Sequence, residues 1–118
     1  MTIAERITQE IAAWPDVAVA SHGPRFVEFR IGRRELGHLH GSTLADITFP
    51  VRIREQLVAA GRAMLHHQHP ESGWVSVPIR ANEDIADIVA LFRLSYDRPW
   101  LSPGPPSAIP SPPGPAAS

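Results

Sequence analysis

The sequence predicts an α+β domain, an antiparallel β-sheet of five or six strands with helices packed on one face. Three observations predict it. Segments that alternate apolar and polar residues follow one another between residues 17 and 49. The turns between them are only a few residues long, which joins antiparallel neighbours rather than parallel strands with crossovers. Amphipathic segments of helical period stand at both ends of the folding unit.

The first helix is predicted over residues 3–14, because Ile3, Ile7 and Ile11 recur on one face. Thr2 and Glu5 make the S/T-x-x-E capping box at its start. Pro15 ends it by pushing the preceding residue out of the α region. A strand at 17–21 has Val17 and Val19 on one side, and His22-Gly23-Pro24 turns the chain. Residues 26–31 alternate Val27, Phe29 and Ile31 with Glu28 and Arg30, the pattern of a half-buried strand. Gly32-Arg33-Arg34 leads into a strand at 35–40, and Gly41-Ser42-Thr43 into one at 44–49 with Ala45, Ile47 and Phe49 inward. Pro50 suits a first helical position, so a helix is predicted over 50–60 with Ile53 and Leu57 inward and Gly61 as its stop. Residues 63–67 read as extended and 68–72 as a loop. A strand at 74–79 carries Val75, Val77 and Ile79 on one side, and Pro78 predicts that it lies at a sheet edge. Asn82 is the expected N-cap of the closing helix, which buries Ile85, Ile88, Val89 and Phe92 and ends near Tyr96.

Composition narrows the function. The chain of 118 residues has 11 basic and 12 acidic side chains, all between Glu5 and Arg98. Residues 99–118 carry no charge and hold 8 of the 13 prolines, so the folding unit is expected at 1–98 and a disordered tail at 99–118. A net charge of −1 argues against a nucleic-acid surface. Without cysteine there is no disulfide, Fe–S cluster, thiolate zinc site or thiol nucleophile. Every basic residue is arginine, which excludes lysine Schiff-base and P-loop chemistry. No apolar run approaches the roughly 18 residues of a membrane span, and no signal-peptide pattern opens the chain. The expectation is a soluble, cytoplasmic protein whose partner is a small-molecule substrate or ligand.

Five of the six histidines fall in two clusters, His38-Leu39-His40 and His66-His67-Gln68-His69. In a straight strand, residues two apart share a face at a spacing of about 7 Å. His38 and His40 therefore project together, with Leu36 beside them and Glu35 on the opposite face. His67 or His69 joins them if the strand that begins at Trp74 runs alongside residues 35–40. Such a set suits either a metal centre or proton transfer near neutrality. No carboxylate shares the face of the H-x-H pair in this reading, and metal-bound histidines ordinarily have one behind them. The expectation from these residues is accordingly no metal. The hydroxyls of Ser42, Thr43, Ser72 and Ser76 sit in no G-x-S-x-G elbow. Arg33 and Arg34 read as a solvated hairpin tip, and Trp74 as a half-buried residue or a pocket wall.

The run Arg34-Glu35-Leu36-Gly37-His38-Leu39-His40, followed by His69-Pro70, Trp74 and Ser95-Tyr96, resembles the luciferase-like domain family, named after the luciferase of bioluminescent fungi. The resemblance covers about residues 14–96. A fainter similarity in element order and in the Gly-Trp strand is to YjbR-type domains, described as DNA-binding, which the charge balance disfavours. The fungal enzymes oxygenate a hydroxylated α-pyrone with molecular oxygen and release carbon dioxide, without metal or organic cofactor. The resemblance therefore implies a cofactor-independent, oxygenase-type enzyme acting on a small enolisable substrate. It implies His38, His40 and His69 as catalytic residues and Glu35, Pro70 and Trp74 as the substrate-binding frame. His66 and His67 lie outside the motif and are expected to tolerate substitution better. The fungal enzymes are longer and carry an insertion where this sequence turns within Gly41-Ser42-Thr43, so light emission and the particular pyrone are not implied. The alternative is a non-catalytic small-ligand or protein-binding module using the same cleft.

Overall fold

The computed structural model of the chain describes residues 1–23, 25–66 and 68–97; the expected tail at 99–118 and His67 lie outside the described residues. The elements run α1 (Ile3–Ala12), β1 (Val17–Ser21), β2 (Phe26–Ile31), β3 (Arg34–His40), β4 (Leu44–Thr48), α2 (Val51–Ala59), β5 (Met64–Leu65), β6 (Trp74–Pro78) and α3 (Asp84–Tyr96). The six strands form one antiparallel sheet in the order β1-β2-β3-β4-β6-β5. The α+β class and the four-strand meander are as predicted.

Local chemistry accounts for the element ends. At the start of α1, Thr2 Oγ1 accepts the Glu5 amide at 3.0 Å and Glu5 Oε1 accepts the Thr2 amide at 2.7 Å, the predicted capping box. The helix stops at Ala12, ahead of the predicted end, and the chain then passes through Asp16 at a φ of 66°. Pro50 takes the cap position of α2 rather than its first turn. The closing helix begins at Asp84 instead of after Asn82. Asp84 Oδ2 accepts the amides of Arg80 and Ala81 at 2.7 and 3.1 Å, which folds residues 80–83 into a turn ahead of the helix.

Pro78 lies in an inner strand, against the prediction of an edge. The Ile79 amide donates to Thr43, so by alternation the Pro78 nitrogen faces away from β4. β5 covers only Val75 and Ser76 on that side, so no ladder bond is lost at Pro78.

Alternation buries Phe29, Leu39, Ala45, Ile47, Val75 and Val77 on one face of the sheet. Ile7 and Ile11 of α1 and Ile88, Leu91 and Phe92 of α3 complete that core, with Ile53 and Leu57 of α2. The Phe92 ring meets Phe29 edge-on at 5.3 Å. It also lies against the backbone of Gly37, where a Cβ would stand 2.8 Å from Phe92 Cε1 and collide with the Asp46 carbonyl. Arg34 is not at a solvated tip. Its guanidinium donates to the carbonyls of Ser95 and Tyr96 at 2.8 and 3.3 Å, tying β3 to the C-terminal end of α3. No helix among the described residues is long and apolar enough to cross a membrane.

Candidate functional site

The alternation that buries the core residues turns their neighbours to the other face of the sheet. There the strand register sets Glu28 beside His38, His38 beside Asp46, and Asp46 beside Ser76, a polar row across four strands. The three-residue turn Gly41-Ser42-Thr43 fixes this, since it pairs His40 with Leu44 and hence His38 with Asp46.

Asp46 is the centre of the row, with a side chain only 2% exposed. Its Oδ1 accepts the Ser76 hydroxyl at 2.7 Å. Its Oδ2 lies 2.9 Å from Nε2 of His40, 3.3 Å from Nε2 of His38 and 3.5 Å from Nε2 of His66. Burial favours the neutral acid, but hydrogen bonds from His38, Ser76 and His40 outweigh it and hold the carboxyl well below the usual carboxylate range. Asp46 is an anion that gathers three imidazoles. Sequence reading missed it. The signal was present: Ala45 and Ile47 point inward, so Asp46 must point outward, and the short turn sets it opposite His38. The expectation that no carboxylate shares the histidine face is overturned.

A second carboxylate reaches the same face through a β-bulge. Phe29 pairs with Gly37 but Arg30 pairs with Glu35, so Leu36 is an extra residue in β3. Leu36 turns fully into the core. Glu35 is thereby carried to the side of His38, with Oε2 2.9 Å from Nδ1. Counting along a straight strand placed these two residues the other way round. His38 now lies between two carboxylates. Burial opposes its charge, yet the hydrogen bonds to Asp46 and Glu35, with their negative charges, raise its pKa above the ordinary histidine value. Phe26 and Trp74 flank its ring, with centroids at 4.7 and 5.2 Å.

The second histidine cluster arrives differently from the expected route. β6 pairs with β4, so the Trp74 strand does not run alongside β3. The β5–β6 ladder pairs Met64 with Ser76 and Leu65 with Val75, and the next residue, His66, comes up to Trp74 with ring centroids 6.5 Å apart. His66 is buried. Its Nδ1 accepts the Gln68 amide at 3.2 Å, which leaves the proton on the Nε2 that faces Asp46. His69 is exposed and stacks on His66 at 5.5 Å.

A pocket of about 360 Å³ opens over this cluster, lined by His38, His40, Asp46 and Trp74 from the sheet and by His66, Gln68 and His69 from the neighbouring loop. Of the predicted site residues, His38, His40, His69 and Trp74 line this space. Glu35 stands behind His38 instead. Pro70 is turned to other use: its carbonyl accepts Arg54 Nη1 at 2.9 Å, and the same atom reaches the Ser72 carbonyl at 2.7 Å. Arg54, buried on α2, thus pins the loop that carries His69.

Fold and site together define a small α+β domain with a histidine-lined pocket on the polar face of its sheet. The luciferase domain family matches residues 33–95, more than half of the chain, and the protein belongs to that family. The matched stretch runs from β3 into α3 and contains His38, His40, Asp46, His66, His69 and Trp74. No curated protein and no solved structure matches the chain, and a likeness to YjbR-type domains is not shown.

Proposed function

We propose that this luciferase-domain protein is an oxygenase-type enzyme acting on a small enolisable substrate, pyrone- or polyphenol-like, in the pocket over Asp46. The observation that supports it is the convergence of His38, His40, His66 and His69 on one pocket with an aromatic wall at Trp74. His69 is the exposed imidazole at the rim and takes the substrate proton. The electron-rich anion left behind gives electrons to molecular oxygen and forms a C–O bond to it; protonation of the far oxygen completes a peroxide that holds both oxygen atoms. His38 and His40 line the pocket beside the developing oxyanion and are the polar groups placed to stabilise it. Trp74 packs against the substrate ring.

The experiment is oxygen uptake by the purified chain over a panel of pyrones, polyphenols and related enols. Uptake is expected with at least one compound, falling about 100-fold or more in His69→Ala. A compound that binds in the pocket without any oxygen uptake across the panel replaces this reading with that of a ligand-binding module.

A further inference from the structure

We infer that His38, His40 and Asp46 form an open site for one divalent first-row transition-metal ion. One nitrogen from each histidine and one oxygen of Asp46 lie within 4.8 Å of one another. Metal–ligand bonds of about 2.0–2.2 Å put adjacent donors of a tetrahedral or octahedral ion about 2.9–3.5 Å apart. The Asp46 Oδ2 atom stands 2.9 Å from His40 Nε2 and 3.3 Å from His38 Nε2, both inside that window. The two histidine nitrogens lie within 4.8 Å of each other, and binding an ion draws them together on that third side.

The surroundings are those of a ligand set rather than of isolated strand histidines. Glu35 holds Nδ1 of His38, which fixes the tautomer that offers Nε2 as the donor atom. Ser76 holds the second oxygen of Asp46 and so orients the first. His66 is not a ligand: its Nδ1 accepts the Gln68 amide, so its Nε2 carries a proton and supports Asp46 from the side. Two histidines and one carboxylate leave coordination positions open, and the pocket lies on the side where His40 is 43% exposed. That donor set, with open positions, suits ferrous iron in oxygen chemistry and also accepts cobalt or zinc. The inference deepens the proposed enzymatic reading and rests on it for the ion's purpose, which is to meet the enolate oxygen as a Lewis acid. The expectation of a metal-free protein rested on a missing carboxylate, on the absence of thiolates and on the resembled family. The structure removes the first of these grounds by placing one carboxylate among the histidines and another behind His38.

The test is a Co(II) titration of the tag-free, chelator-stripped chain, followed by visible absorption, with elemental analysis of the zinc-loaded protein. One ion per chain is expected. Binding is lost in Asp46→Asn and in His40→Ala, whose half-exposed side chain makes it the safer variant to fold, as circular dichroism will show. Glu35→Gln weakens binding about 10- to 100-fold, and His69→Ala leaves it unchanged. The inference is overturned if the parent chain takes up no cobalt, or if uptake persists in both His40→Ala and Asp46→Asn. Oxygen uptake by a chain that binds no cobalt removes the metal and keeps the enzyme. Stoichiometric cobalt with no turnover does the reverse.

Discussion

Asp46 and His69 sit in the same pocket and differ in what their loss leaves behind. Asp46 and Ser76 are 1% and 6% exposed, so Asp46→Ala strands a buried hydroxyl and the imidazole donors around it. The expected cost is about 3 kcal/mol, read from urea unfolding of the metal-free chain. His69 is exposed, and His69→Ala is expected to shift stability by less than about 0.5 kcal/mol in the same measurement. A near-neutral Asp46→Ala would show that the three imidazoles do not depend on it. Sequence reading reached only part of this constellation. His38 and His40 were legible as a pair, because no bulge falls between them and the two-residue period holds. Glu35 was not, because the extra residue at Leu36 lies outside what alternation can express. Asp46 was legible in principle, but only to a reading that carried the turn register into the next strand. His66 was hidden by its neighbours, since three histidines in four residues give no sign of which one is buried.

At the scale of elements, two contacts set the shape of the pocket from outside it. Gly37 lets the Phe92 ring of α3 lie on the β3 backbone, and a methyl group there meets both Phe92 and the Asp46 carbonyl. Gly37→Ala is expected to cost about 1–3 kcal/mol, seen as an earlier urea midpoint, because neither the strand nor the buried ring has room to yield. Arg54 holds the loop before β6 through the carbonyls of Pro70 and Ser72. Arg54→Ala frees that loop, and limited proteolysis is expected to cut within residues 68–73 faster than in the parent. Equal cutting rates would show that the loop is held by other contacts. Most elements were legible because strong periodicity and short turns agreed. The order of the last two strands was not, because Met64 and Leu65 form a two-residue strand with both side chains exposed, too short to carry a pattern.

For the molecule as a whole, residues 99–118 carry no charge and are rich in proline. Their composition argues that the folding unit does not draw on them. Deleting them is expected to leave the calorimetric midpoint within about 1 °C of the parent, and a fall of many degrees would show docking onto the domain. The sheet itself carries a consequence of a different kind. On the pocket side of the bulge, every ladder partner joins two even-numbered or two odd-numbered residues. The odd positions, Phe29, Gly37, Leu39, Ala45, Ile47, Val75 and Val77, pack the interior; the even ones, Phe26, Glu28, His38, His40, Asp46, Trp74 and Ser76, lie on the face of the sheet that carries the pocket. The domain is therefore written in two interleaved reading phases, one for packing and one for chemistry. Substitutions at even positions act on the chemistry of that face, and those at odd positions act on the packing. A one-residue insertion within β4 between Leu44 and Asp46 acts as a phase error: it sends downstream core side chains to the pocket and pocket side chains to the core, whereas a two-residue insertion restores the phase.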